Sequence, residues 1–363
     1  MPTFIYPGSA NGGATTYVPN FEASGKMVIG FSRNPATFAL NQYVTLVPVK
    51  QSVGYYLLRA VSNAGRLTTA TQTPGGVLGV PNSDRVWADG NDRPDGSDNL
   101  EGHSYQKFLT ERYAFAGRLG YKAVDQADWN ILAAHSADLA QQAMTARTAV
   151  VASIVESSTS YAASLTSSAT SLVGDFIING TQSNPLLKAA LQKIGIAINK
   201  ATWGVVKPSQ LVARMSPDLA EPLSRTQEVH TYLKESPFAL AQIRGDVKSQ
   251  NGEWGLPDTL YNFKLAIEDC VYNPAKKGYP AEPQALSYIA SSNFMAVLAR
   301  PGSLVGVQGA PSFSAVHLWV YEEMTVESKD DPDNRRHNFR VVDDIGVNLV
   351  SQQSAYGLTN CQS

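Results

Sequence analysis

Trp87-Ala-Asp-Gly-Asn-Asp-Arg-Pro-Asp-Gly96, then Arg112-Tyr-Ala-Phe-Ala-Gly-Arg-Leu-Gly-Tyr121, then the run from Asp125 to Glu156: these three pieces decide how the chain is built. The first is a charged, Gly-rich loop. The second reads as a returning strand. The third holds neither Gly nor Pro and reads as one helix of roughly 48 Å at 1.5 Å per residue. Asp125 is its expected N-cap, with Asp128 adding negative charge to the first turn. Leu132, His135, Leu139, Ala143, Ala146, Val150 and Ile154 recur at spacings of three or four and predict one buried stripe. Only Asp125, Asp128, Asp138, Arg147 and Glu156 are charged, so the helix is expected to be covered on more than one side. A long hairpin feeding a long helix suits a subunit whose arms reach its neighbours better than a compact enzyme core.

Working outward, residues 1–37 are rich in Gly, Ser, Asn, Thr and Pro and read as an extended arm. Residues 43–60 are β-branched and aromatic and read as one or two strands, with Pro48 placing the first at a sheet edge. Residues 61–110 form a turn-dense excursion of a kind that is usually functional or disordered. Within 84–101, six acidic residues (Asp84, Asp89, Asp92, Asp95, Asp98, Glu101) stand against Arg85 and Arg93, a net charge of -4. Residues 157–174 are a Ser/Thr/Ala run that either prolongs the helix or links. Asn184–Ala201 reads as a second amphipathic helix with Pro185 in its first turn. Beyond it the pattern predicts a short strand at Gly204–Pro208. Helices are predicted at 209–215, 217–224 and 226–234, and strands at 261–271 and 294–299. A closing hairpin runs over 316–328 and 339–350, with its tip at 330–337. No internal repeat is present.

The totals bound the function. The chain of 363 residues can bury one large core or two ordinary domains. Its charged fraction of 17 % is low against the ~25 % usual for free-standing soluble proteins, which points to a surface that meets other protein. A net charge of -2 argues against a sequence-independent grip on nucleic acid, which needs a basic face. Cys270 and Cys361 lie far apart without ligand spacing and read as free thiols in a reducing compartment. The N-terminus lacks a signal-peptide pattern, and no apolar run is long enough to span a membrane.

Catalytic signatures are absent. There is no phosphate-cradling Gly-Lys-Ser/Thr loop, dinucleotide fingerprint, nucleophile elbow or paired-His zinc spacing. His103, His135, His230, His317 and His337 are scattered and read as structural or surface residues. Asp330, Asp331, Asp333 and Asn334 could be read as a calcium loop. Pro332 favours a plain hairpin tip. Arg244-Gly-Asp246 and Asn179-Gly-Thr181 read as chance matches, and Lys276-Lys277 as a solvated turn. No metal and no cofactor are expected.

Four stretches, taken together over roughly residues 38–350, carry a family resemblance. They are Phe38-Ala-Leu-Asn-Gln-Tyr-Val-Thr-Leu-Val-Pro-Val49 with Gly54-Tyr-Tyr-Leu57, and Asp89-Gly-Asn-Asp92. The third, the strongest, is Thr110-Glu-Arg-Tyr-Ala-Phe115 continuing through Asp125-Gln-Ala-Asp-Trp-Asn130 to Gln141-Gln-Ala-Met-Thr-Ala-Arg-Thr148. The fourth is Ala201-Thr-Trp-Gly-Val-Val-Lys-Pro208 through Ser216-Pro-Asp218. With them the chain resembles the major capsid proteins of tailed bacteriophages, which share the Hong Kong 97-type fold with encapsulins.

The resemblance implies an α+β fold with a fixed layout. Residues 1–37 would be the N-terminal arm and 38–54 a peripheral strand. Residues 55–122 would be an extended loop lying over an adjacent subunit. Residues 123–175 would be the spine helix and peripheral domain, 176–313 the axial domain, and 314–363 the peripheral return with its tip at 330–337. It implies a structural, non-enzymatic protein that assembles with itself, as hexamers and pentamers, into an icosahedral or prolate shell. That shell would be built in the host bacterial cytoplasm and would enclose double-stranded DNA without sequence-specific binding. Portal and decoration proteins are possible partners. The arm begins within about 40 residues of Met1, so any scaffolding is expected to be a separate protein. Some family members crosslink Lys to Asn through the extended loop. Here residues 84–101 hold no Lys, which argues against crosslinking. Arg85, Asp89, Asp92, Arg93 and Asp95 are the candidate contact residues, expected to pair with charges on a neighbouring spine helix or axial domain. The alternatives are an encapsulin-like compartment, a hydrolase with a triad assembled from distant residues, and an all-β tail or minor virion protein. The long helix speaks against the last.

Overall fold

A computed structural model describes residues 37–59, 89, 103–127, 130–173, 186–274, 286–303 and 314–362. In chain order the strands and α-helices are β1 (Val44–Pro48), β2 (Val53–Arg59), β3 (His103–Leu109), β4 (Glu111–Gly120), α1 (Tyr121–Asp125), α2 (Ile131–Val155), β5 (Thr166–Ser168) and α3 (Ala169–Val173). There follow α4 (Leu186–Ala201), β6 (Leu211–Met215), α5 (Pro217–Ser224), α6 (Gln227–Glu235), α7 (Pro237–Arg244), β7 (Thr259–Leu260), β8 (Phe263–Ile267) and β9 (Val271–Tyr272). The last are β10 (Ser287–Tyr288), β11 (Phe294–Ala299), β12 (Val316–Asp331), β13 (Arg336–Leu349) and β14 (Ala355–Thr359). Two units separate: residues 51–109 form one, and 1–50 with 110–363 form the other.

In the larger unit a four-stranded sheet has the order β1-β12-β13-β4. The expected closing hairpin is its centre, with β12 and β13 paired antiparallel from Val316–Leu349 down to Asp331–Arg336. β1 takes the edge, parallel to β12, where the missing N–H of Pro48 spares the ladder. β4 pairs with β13 over its whole length and belongs to the larger unit.

Helix α2 lies on this sheet, shorter than the sequence predicts. Its N-cap is Asn130, whose side chain accepts a hydrogen bond from Ala133 N at 3.0 Å; Asp125 closes the short helix α1 instead. Twenty-five residues give roughly 38 Å. The buried stripe is also shifted. Ile131, Leu139, Ala143, Met144, Arg147, Thr148, Val151, Ala152 and Val155 are buried, whereas His135 is exposed and Ala146, Val150 and Ile154 are half-buried. The displaced line follows the sheet. Leu139 and Ala143 pack with Phe339 and Val341, backed by Phe115 and Leu119. Phe339 needs room there. It sits opposite Gly117 in the ladder, and a Cβ at Gly117 would stand 2.7 Å from its ring.

The second sheet has the order β5-β14-β11-β6-β8-β7. Every residue of β6 and of β11 is buried. This corrects two expectations. Leu211–Met215 is a central strand rather than part of a helix, and Gly204–Pro208 is a turn and loop rather than a strand. A short apolar run buried on both faces carries no period, so spacing cannot separate strand from helix. The strand expected over 261–271 is broken, because Tyr261 and Asn262 turn the chain at φ 50° and 70° before β8. Neither α7 nor β14 was expected. Ser216 and Thr226 cap α5 and α6 by accepting from Leu219 N and Val229 N. One core joins this sheet to α4–α7, to Val151 and Val155 of α2, and to Val316, Leu318 and Val320 of β12.

The smaller unit is described by its two strands alone. β2 and β3 pair antiparallel from Val53–Leu109 to Arg59–His103.

Candidate assembly surface

The β2–β3 ribbon gathers five exposed large hydrophobic side chains on one face. Side chains alternate between its two faces. One face holds Val53, Tyr55 and Leu57 opposite Leu109, Lys107 and Tyr105. Of these, Tyr55 is 69 % and Tyr105 76 % exposed, and Val53, Leu57 and Leu109 are exposed too. On the other face Phe108 is buried against Gly54, its direct partner, where a Cβ would lie 2.5 Å from the ring. The packed Phe108 holds the ribbon together and leaves five apolar side chains without cover. An isolated two-stranded ribbon is marginal in water, and a contiguous apolar patch of this kind marks a surface meant for another protein.

Electrostatic ties stiffen the larger unit. Arg147, the charged residue on the buried stripe of α2, makes two bonds to Asp343 of β13: Nε to Oδ2 at 3.0 Å and Nη2 to Oδ1 at 2.7 Å. Arg112 of β4 reaches Glu322 at 3.2 Å and Asp344 at 3.5 Å. In the second sheet Arg214 is fully buried, with Nη1 on Glu156 Oε1 at 2.5 Å. Burial opposes its charge. Tyr43, Glu156 and Glu268 outweigh that, so its pKa stands above the ordinary value. Burial raises Glu268, against the pull of Arg214, Cys270 and Tyr43. Tyr43 donates to Glu268 Oε2 at 2.9 Å. These bonds link the turn before β1, the C-terminus of α2 and the centre of the second sheet. Spacing gives no signal for pairs so far apart in the chain.

The hairpin tip is a turn. Asp331 accepts from Asn334 N at 3.2 Å, Asn334 Nδ2 at 2.9 Å and Arg336 Nε at 2.9 Å. The Asn334 bonds, with Arg336, hold its pKa below the ordinary value. Its oxygens therefore serve the turn. Among the described residues one group has metal-ligand types within reach of each other, Glu268, Asp269 and Cys270. Glu268 is engaged by Tyr43, and the Cys270 thiol lies 3.8 Å from Thr148 Oγ1, so the group reads as core packing. Both cysteines are free and buried. Of the charged contact residues expected from sequence, Asp89 lies exposed in a turn. Arg85, Asp92, Arg93 and Asp95 fall outside the described residues. No helix among the described residues is long and apolar enough to cross a membrane.

No family model matches the sequence, and no curated protein matches it. Solved structures do. A phage-related protein from Bordetella bronchiseptica RB50 is 12 % identical, with a TM-score of 0.56 over 91 % of this chain and 93 % of that one. The capsid of the cyanophage P-SCSP1u is 10 % identical, with a TM-score of 0.52 over 99 % of this chain and 100 % of that one. A structure from Mycobacterium phage Bobi is 11 % identical, with a TM-score of 0.52 over 93 % and 94 %. The α+β architecture is therefore the Hong Kong 97-type fold, as the four sequence stretches led one to expect.

Proposed function

We propose that this chain is a major capsid protein, copies of which close into the icosahedral or prolate shell that encloses the double-stranded DNA of a tailed phage. The observation that carries the reading is the ribbon of Val53, Tyr55, Leu57, Tyr105 and Leu109, an exposed apolar face on a unit of its own. The fold likeness to a cyanophage capsid over nearly the whole chain supports it. An encapsulin-like compartment is the less favoured reading.

The work is geometric. Closed symmetric assembly repeats a few kinds of contact many times. Each contact can be weak, because neighbouring contacts act together once a ring forms. In this reading residues 1–37 and the segment 55–122 are limbs laid on neighbours, α2 is the spine, 176–313 surround the capsomer centre, and 314–363 return to the periphery. Hexamers and pentamers are the assembling units. A separate scaffolding protein, a portal and decoration proteins are the partners. Assembly takes place in the host bacterial cytoplasm, DNA is enclosed without sequence-specific contact, and no catalysis is involved. The acidic segment 84–101 sets register by pairing with basic residues of a neighbour. Reversing Asp92 and Asp95 to Lys should impair particle formation while leaving the fold of the chain intact, and unchanged particle yield would rule that pairing out.

Sedimentation velocity of the purified protein tests the reading. Capsomers and megadalton particles are expected; a single monomeric species at every concentration and salt would contradict it.

A further inference from the structure

In the larger unit a polar cavity of about 370 Å³ opens between the turn that precedes β1, the residue that leads into β6, Lys264 of β8 and the turn that follows β11. Gln42, Gln210, Gln250, Lys264, Arg300 and Ser303 line it, and among the described residues no acidic one does. Neither Lys264 nor Arg300 pairs with a carboxylate among the described residues. The backbone beneath them is fixed. Lys264 sits in β8 between Val212 and Thr259. Arg300 N donates to Gln210 O at 3.0 Å, Ser303 N donates to Arg300 O at 3.0 Å, and Ser303 Oγ donates to Gln210 O at 2.9 Å. Pro301 and Gly302, the latter at φ 87°, close this turn. Two cations in one concave site hold a positive potential that no carboxylate among the described residues answers.

We propose that this cavity receives carboxylates of the acidic segment 84–101 from a second copy of the chain. The inference rests on the shell reading above and names the receiving side of that contact. Charge complementarity carries it. The segment holds a net -4 and no Lys, and its Asp89 is exposed. The cavity admits a side chain, whereas a nucleic-acid duplex is far too wide for it. The side-chain amides of Gln210 and Gln250 offer further donors to a carboxylate, whereas the Ser303 hydroxyl proton is spent on Gln210 O. Their neutrality keeps the site selective for anions of modest charge.

Two charge-reversed chains test it. One carries Lys264→Glu with Arg300→Glu; the other carries Asp92→Lys with Asp95→Lys. Each alone should give about tenfold fewer particles, with circular dichroism and melting unchanged. The milder Lys264→Gln with Arg300→Gln should give an intermediate yield. Carrying all four reversals in one chain should restore particles, because every segment then meets a cavity of opposite sign. A cysteine pair, Asp92→Cys with Lys264→Cys, should crosslink between copies under oxidation; a crosslink confined to single chains shows the occupant to be the chain's own segment, and the proposal falls. Normal yield from the cavity variant overturns it as well, and normal yield with loss of retained DNA assigns the cavity to backbone phosphates instead. Absence of particles from the unaltered chain would strike the shell reading. The cavity is then decided by a labelled peptide of residues 84–101 titrated onto the soluble chain. Binding that the Lys264→Glu, Arg300→Glu chain loses supports the proposal, and no binding to the unaltered chain overturns it.

Discussion

Arg147 and Asp343, 196 positions apart in the chain, meet in a buried two-bond pair at 3.0 and 2.7 Å that fixes the long helix α2 to strand β13. A guanidinium presents its donors as a rigid fork that a carboxylate matches in one orientation. The pair therefore sets the rotation and the height of the helix on its sheet. It also explains why a charge can stand on the buried stripe of an otherwise apolar helix.

Removing one partner should be expensive. Arg147→Ala leaves Asp343, 1 % exposed, without its cation, and should lower stability by about 3–5 kcal/mol. Replacing both, as Arg147→Met with Asp343→Leu, should recover most of that loss. Chemical denaturation of the soluble chain, followed by circular dichroism, checks both.

The ribbon should behave in the opposite way. Tyr55→Ser and Tyr105→Ser touch side chains exposed in the single chain, so its unfolding free energy should move by less than about 0.5 kcal/mol. Assembly should suffer, since central aromatic contacts are worth about 2 kcal/mol or more at an interface. Paired measurements of the unfolding midpoint and the particle yield separate the two effects.

Gly117 is required by its neighbour rather than by its own backbone. Gly117→Ala would place a methyl 2.7 Å from the Phe339 ring and should cost about 1–3 kcal/mol through overpacking. Phe339→Leu should relieve much of that cost in the double variant while being mildly destabilising alone. Thermal melts of the three variants give the coupling.

Buried His317 should make the fold acid-sensitive. Burial lowers its pKa to about 4, against a weaker opposing bond with the Ser314 backbone, while the unfolded chain should titrate near 6.5. Between these values the unfolded state binds more protons. The contribution is complete above about pH 6.5 and is lost as the pH falls toward 4, by about 3 kcal/mol in all. His317→Gln should flatten the difference between urea midpoints at pH 7 and pH 4.5, and an unchanged difference would assign the sensitivity elsewhere.

The elements that the sequence reveals are those with one wet face. β12 alternates from Val320 to Thr325, α4 and α6 repeat at helical spacing, and these emerge as read. β6 escapes because Leu211-Val-Ala-Arg-Met215 is buried on both faces and has no period to detect. Its Arg214 looks like a helix-surface charge until Glu156, 58 positions away, is seen to neutralise it. The start of α2 is misplaced because Asp125 and Asn130 are both good caps, and only folding selects Asn130. The same limit applies to the surface. Alternation marks Val53, Tyr55 and Leu57 as one strand face, but only the pairing of β2 with β3 adds Tyr105 and Leu109 to it and leaves that face bare.

A cryo-electron microscopy map of the expressed protein tests the central claim most directly. Closed particles are expected in which each subunit carries both sheets and the face of Tyr55, Leu57 and Tyr105 is buried against an adjoining subunit. Solitary chains that never associate, or closed particles in which that face stays open to solvent, would contradict it.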